Sequence, residues 1–190
     1  MVSSAKQLKE YLAQDKNIAG VSGGWLYDII YPNYILSYIR LLRKYSFYRY
    51  SGNLFQQLFS RIILIRLHRL AFKLGFYIPK DVFGPGLYIP HSGSVVVNPN
   101  ALIGANCQIN NNVVIGQVRG KCPTIGDNCF IGSGAVICGD IKIGDNCWIG
   151  ANSVVTHSFE ENNVLIAGNP ARIIKKRNNN WLVEFGKKLE

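Results

Sequence analysis

Acidic side chains are scarce at the start of this 190-residue chain: residues 1–80 hold only Glu10, Asp15 and Asp28 against twelve Lys and Arg. That stretch therefore carries +9 of the formal net charge of +10, and the remainder is close to neutral. The split implies two regions with different surroundings, a basic N-terminal part facing something anionic and a nearly neutral body. Long apolar runs are missing too. The most apolar stretch, residues 54–76, is broken by Arg61, Arg66, His68, Arg69 and Lys73, too many charges for a spanning helix. Met1 is followed by a polar, helix-forming stretch where an export signal would place a basic start and an apolar run. A cytoplasmic protein with free thiols is the expectation. The five cysteines form no CxxC and no Cys/His cluster with ligand spacing, so no metal site is expected. No nucleic-acid-binding motif accompanies the basic residues, so nucleic acid is not among the expected partners. At 48% hydrophobic and 17% charged, the composition is still that of an ordered globular protein.

What the chain does contain is a repeat. From residue 97 an aliphatic side chain returns every sixth position: Val97, Ile103, Ile109, Ile115, then Ile125, Ile131, Ile137, Ile143, Ile149 and Val155. Four positions after most of these stands a small or modest residue, among them Ala101, Cys107, Cys129, Ala135, Cys147 and Ser153. Gly or Asn follows the aliphatic in most cases, as at Gly104, Asn110, Gly126 and Gly144. A period of six is neither helical nor that of a plain alternating strand. It fits short strands joined by tight corners, where Gly, Asn and Asp accept the backbone conformations of a turn. Three sides make an 18-residue coil, and stacking places Ile125 on Ile143 and Cys129 on Cys147, with Cys107, Cys129 and Cys147 as core filler.

Two interruptions break the period, and a regular solenoid has no structural reason for them. Phe83 and Ile89 come into step with Val97 only if two residues are added, and His91 lies in that gap. Between Ile115 and Ile125 four extra residues bulge out within residues 116–124. His91 is also the one histidine inside the repeats, His68 and His157 lying to either side.

The six-residue period, the segment GPGLYIPHSGSVVV (84–97), the near-copies IGDNCFIGSGAV (125–136) and IGDNCWIGANSV (143–154), and the closing AGNPARII (167–174) carry a resemblance. Over roughly residues 60–175 the chain resembles the left-handed β-helix acyltransferases, in particular the serine acetyltransferase-like branch associated with surface-polysaccharide gene clusters. The resemblance implies a mainly β fold, a left-handed parallel β-helix of hexapeptide repeats behind an N-terminal α-helical region, assembled as a homotrimer or a higher assembly. It implies an O-acetyltransferase that uses acetyl-CoA and no metal, with His91 in the position of the catalytic base. An imidazole with a pKa near 6.5 can take the proton of an attacking alcohol and return it to the leaving thiolate. No acyl-enzyme is needed, and no cysteine has a recognisable base beside it. Carried over by position, Ser133, Gly134, Ala151, Asn152, Ala167 and Gly168 line the groove for the pantetheine arm. Arg172 and Lys175, with Lys176, stand where cations would meet the 3′-phosphate.

Several family positions differ. The carboxylate that orients the catalytic histidine, fifteen residues earlier, is Phe76 here. The Asp that precedes the histidine and holds the serine amino group is Pro90, and the substrate-contacting Arg-His pair of the next loop reads Lys121-Cys122. Asp81 is the nearest remaining carboxylate in sequence, and a backbone carbonyl is the other candidate for orienting His91. An ammonium–carboxylate substrate needs a fixed acid and a fixed base. The expected acceptor is therefore a hydroxyl of a sugar in a surface polysaccharide or its precursor, with L-serine as the alternative. A non-catalytic β-helix scaffold is the reading from another class. A carbonic anhydrase would need several histidines in the repeats.

Ahead of the repeats, residues 4–16 read as a helix with a Ser start, a second run begins at Pro32 and reaches about Tyr50, and a third covers residues 54–74 after Ser51, Gly52 and Asn53. The expected division is a basic helical region (1–76), the β-helix (77–172) and a tail (173–190). The cations of the third helix lie between broad apolar faces. They either are solvated on a cap over the first coil or meet an anionic membrane peripherally.

Overall fold

The computed structural model describes residues 2–20, 33–50 and 53–185. The period of six folds as read, into a parallel β-solenoid of about five turns behind a helical region, consistent with a left-handed β-helix. One sheet stacks β1 (Phe76–Tyr77), β2 (Val95–Val97), β5 (Val113–Gly116), β8 (Val136–Cys138) and β11 (Val154–Val155). A second holds β3 (Leu102–Ile103), β6 (Thr124–Ile125) and β9 (Lys142–Ile143). The third runs from β4 (Gln108–Ile109) through β7 (Phe130–Ile131), β10 (Trp148–Ile149) and β12 (Val164–Gly168), and ends on β13 (Ala171–Lys176), which is antiparallel to β12.

Each of the ten periodic aliphatics points inward and is at most 4% exposed. Ile125 pairs with Ile143, and the buried Cys107, Cys129 and Cys147 fill the inward position before β4, β7 and β10. Backbone amides close one turn on the next, as where the Phe130 N–H donates to the Cys147 carbonyl at 2.9 Å. The corners use the residues that the pattern supplied. Asn106, Asn128, Asn146 and Asn163 hold φ between 54° and 60°, a region Asn tolerates better than most residues. Gly126 is required by a close approach, because a Cβ there would lie 2.8 Å from the Gly144 carbonyl carbon. Just beyond it the Asp127 N–H donates to Asp145 Oδ1, and the Asp145 N–H donates to Asn162 Oδ1, each at 2.7 Å.

The helical region is α1 (Ala5–Ala19), α2 (Tyr34–Arg49) and α3 (Leu54–Leu74). Ser4 caps α1 by accepting from the Gln7 N–H. Pro32, Ser51 and Gly52, which mark the expected limits of the second run, and Asp28 lie outside the described residues. Asn33 and Asn53 cap α2 and α3. Asp15, fully buried, joins this region to the first coil. Its carboxylate accepts from Arg43 Nε at 2.9 Å and from the Gly86 and Leu87 amides at 2.8 and 2.9 Å. Arg43 in turn donates to the Phe83 and Gly84 carbonyls at 2.7 and 2.6 Å. One buried ion pair thereby ties α1, α2 and the start of the coil.

The described residues after β12 fold back along the coil. β13 pairs along β12, and α4 (Trp181–Glu184) returns down the third sheet, where Trp181 is fully buried beside Ile18 and stacks on Tyr88. Its indole N–H donates to the Asn106 carbonyl at 2.9 Å, tying the end of the chain to an early turn.

Removing one partner of a buried ion pair leaves the other uncompensated. Asp15→Asn is expected to lower unfolding stability by about 3 kcal/mol or more in denaturant titrations. A loss of about 1 kcal/mol or less, the range of exposed pairs, would contradict this role for Asp15.

Candidate active site

His91 sits where the coil carries its surplus. Phe83 is bridged to Ile103 and Tyr88 to Gln108, offsets of twenty, whereas Val95 pairs with Val113 and Val97 with Ile115, offsets of eighteen. The two extra residues fall between Ile89 and Val95 and push His91 and Ser92 out as exposed side chains. Gly93 anchors the bulge, its N–H donating to the Leu74 carbonyl at the end of α3 at 2.9 Å.

This bulge heads one edge of the prism, between the third sheet and the first. Below it the same edge carries residues 110–112, 132–134, 150–152 and then Ala167 and Gly168. Bonds along it show the stacking. The Gly134 N–H donates to the Asn111 carbonyl at 3.0 Å, the Asn152 N–H to the Ser133 carbonyl at 2.9 Å, and the Gly168 N–H to Ser153 Oγ at 3.3 Å. With about 4.8 Å per turn, the edge runs roughly 19 Å from the His91 turn to Gly168. The structure thus brings His91, Ser133, Gly134, Ala151, Asn152, Ala167 and Gly168 onto one line. Arg172 joins its far end, because it pairs with Ala167 across β12 and β13. Lys175 pairs with Leu165, one strand-length back on the third sheet, and both cations are exposed. Lys176 is 2.9 Å from Glu161 in an exposed ion pair.

Asn111 belongs to this edge and was not singled out from the sequence. It lies between His91 and Ser133, its Oδ1 accepting from Ser133 Oγ at 2.9 Å, and its Cβ is 3.0 Å from where a Cβ on Gly93 would be. Stepping back eighteen residues from Ser133 lands on Ile115. Only a step of twenty-two, allowing for the four-residue bulge, finds Asn111.

Lys121 and Cys122 are not brought to His91 within the chain. Their loop leaves at the far end of β5, where Val118 and Lys121 bridge, Lys121 ion-pairs with Asp140, and Cys122 Sγ lies 3.2 Å from Asn98 Oδ1. Pro90 instead lines a small cleft of about 100 Å³ with Ala19, Asn33, Leu36 and Tyr88.

Neither candidate for orienting His91 is seen in that role. Asp81 is held by Ser46 Oγ and Lys80 Nζ. Burial alone would raise its carboxyl, but these two donors outweigh burial and hold it below the usual carboxylate range. Phe76 is buried in the core at 5% exposure, pairing with Val95. Among the described residues the His91 ring makes no hydrogen bond, neither donating to a carbonyl nor pairing with any other group. No group of three His, Cys, Asp or Glu able to hold a metal occurs among the described residues. The chemistry on offer is an exposed imidazole at the head of a line of small residues and corner backbone groups, with cations at the other end.

The repeats match the family model Bacterial transferase hexapeptide (six repeats) over residues 122–157. Serine acetyltransferase 5 of Arabidopsis thaliana is 43% identical over 100 residues, which are 50% of this chain and 32% of that protein. Serine acetyltransferase of Staphylococcus aureus is 40% identical over 102 residues, 52% of this chain and 47% of that protein. The chain spans less than half the length of the curated relatives it matches. Among solved structures, serine acetyltransferase from Brucella abortus superposes with a TM-score of 0.71 at 26% identity, covering 90% of this chain and 70% of the other. Soybean serine acetyltransferase complexed with serine gives 0.67 at 27% identity, covering 88% and 69%.

The three inward-facing cysteines, Cys107, Cys129 and Cys147, offer no competing nucleophile. Its interaction with Cys107 in the thiol ladder, together with burial, pushes the Cys129 thiol well above its ordinary pKa against an opposing interaction with Cys147, and the contact with Cys129 together with burial raises Cys147. In native protein an aromatic disulfide reagent should titrate the half-buried Cys122 and Cys138, with Cys107, Cys129 and Cys147 reacting only after denaturation. Fast reaction of the ladder thiols in native protein would contradict their placement on the axis.

Proposed function

We propose that this chain is an acetyl-CoA-dependent O-acetyltransferase in which His91 is the general base. The observation that carries this reading is the shared edge. An exposed imidazole stands at the head of a line whose length, roughly 19 Å by the spacing of the turns, suits the extended arm of coenzyme A. The fit of the groove rests on this chain's own residues. Ser133, Gly134 and Ala151 are small enough to let a thin arm lie against the coil, and the corner peptides beside them supply hydrogen-bonding groups. Arg172 at the far end is a cation for a phosphate, with Lys175 behind it on the sheet.

When bound, the co-substrate supplies an acetyl thioester. His91 takes the proton of the acceptor hydroxyl as its oxygen forms the new ester bond, and gives that proton to the departing sulfur. The proton is conserved and no metal is required. Among the described residues no carboxylate is bonded to His91, Asp81 being held by Ser46 and Lys80, so the ring is left to be oriented in the complex with the acceptor.

The similar proteins are serine acetyltransferases, and one solved relative holds serine, so L-serine is the acceptor the comparisons favour. This revises the order expected from the sequence, which put a sugar hydroxyl first. The sugar of a surface polysaccharide or its precursor stays as a second reading on one specific observation. Phe76 and Pro90 stand at the two positions where the resemblance would put carboxylates, so neither position offers an acid to hold a substrate ammonium.

The first sheet supports self-association. Tyr77, Val96, Val114, Val136 and Val154 form an outward row, with Tyr77 62% and Val96 39% exposed. A second copy packed on that row, as in a homotrimer, would stand beside the His91 edge and present its own loop with Lys121 and Cys122 there. No described helix is long and apolar enough to cross a membrane, and we place the reaction in the cytoplasm. A peripheral membrane contact would use other residues, those of the basic helices.

Purified protein with acetyl-CoA and L-serine should release CoA thiol, and His91→Ala should lower turnover by about two to four decades. A smaller loss would remove His91 from the base role. Turnover with a nucleotide sugar and none with L-serine would transfer the acceptor to the second reading, and failure to bind acetyl-CoA by calorimetry would leave a scaffold.

A further inference from the structure

The helical region has a surface that acetyl transfer does not use. From residue 29 through residue 80 the chain contains no Asp or Glu and nine Lys and Arg. Within that stretch α3 turns Ser60, Ile63, Leu67 and Leu74 inward. Its other side leaves Phe55, Leu58, Phe59, Ile62, Ile65 and Phe72 between 48% and 93% exposed. Single exposed apolar residues need no explanation, but a row of six large ones along one helix does. Arg61, Arg66 and Arg69 stand among them, exposed and in no ion pair among the described residues. Where α3 begins, a cleft of about 390 Å³ against α2 is lined by Arg49 and Arg61 with Leu54, Leu58 and Leu64.

We propose that this face of α3 docks the protein on the surface of an anionic lipid bilayer. Its phenylalanines and isoleucines enter the boundary of the acyl region, and Arg61, Arg66 and Arg69 meet the headgroup phosphates. Charge selects this occupant over the others. A second copy on the same face would set these arginines against their own duplicates, with no carboxylate in the whole segment to neutralise them. A nucleic acid would use the arginines but has no use for the apolar row between them. Spanning is excluded by the cations, so a helix of 21 residues, about 31 Å long, lies in the plane of the interface. The cleft between Arg49 and Arg61 has the chemistry to take one lipid phosphate, with apolar walls for the start of its chains.

The test is co-sedimentation of the full chain with phosphatidylcholine vesicles, with and without phosphatidylglycerol, at low and high salt. Pelleting with the anionic vesicles, weakened by salt, is expected. Replacing Arg61, Arg66 and Arg69 by Gln should lower the partition coefficient by roughly a hundredfold, about fivefold for each cation. Ile62→Asp should also release the protein while leaving its melting curve unchanged, since Ile62 is 57% exposed. Equal binding to neutral and anionic vesicles, or none to either, would overturn the proposal. So would an Ile62→Asp protein that keeps its vesicle affinity but changes assembly mass in light scattering, which would make the face a contact between copies.

Discussion

The closure of each turn onto the next governs the rest of this molecule. Buried amides must find acceptors, and in a coil of two- to five-residue strands almost all of them are found along the axis. The Gln108 N–H donates to Cys129 and the Phe130 N–H to Cys147, so neither strand can shift without breaking both neighbours. A side that must match the side above it cannot hold an extra residue. Extra residues leave at corners, and that is where His91 and the loop bearing Lys121 stand. Regularity in the strands and chemistry at the corners are two consequences of one constraint.

A stack of this kind has open ends. At its start the closing elements are helices, and the joint is a buried ion pair. Asp15 satisfies two amides of the first coil, at Gly86 and Leu87, that no preceding turn exists to accept from. Arg43 does the converse for the Phe83 and Gly84 carbonyls. The charges therefore finish the hydrogen bonding of an unfinished solenoid. At the other end β13 folds back on β12, and Trp181 secures the return against Asn106. The three sheets end up with different surroundings: one covered by its own C-terminal segment, one short and carrying Thr124 and Lys142 outward, and one with a bare row of valines.

The fold was legible because its information is local and repeated. The inward positions of Val97 through Val155 follow from counting by six, and so does the burial of Cys107, Cys129 and Cys147. The helices were legible from Ser4 and from the interruption at Ser51, Gly52 and Asn53 ahead of residues 54–74. The candidate site was legible in part. His91 showed as a break in step, and the resemblance supplied the edge residues. Asn111 was hidden by the four-residue bulge, which defeats counting by eighteen. The role of Asp15 was hidden because a carboxylate in a helix carries no sign of an arginine twenty-eight residues away.

The sequence by itself thus determined the period, the inward set of side chains and the places where the coil must open, since each is a property of neighbours a few positions apart. Only the tertiary structure decided which corners share an edge. His91 and Gly168 are 77 positions apart and fall on one line because every full turn returns the chain to the same corner. Lys121 is far nearer to His91 in sequence, yet it sits at the opposite end of a strand, where one side of the prism separates it from the histidine.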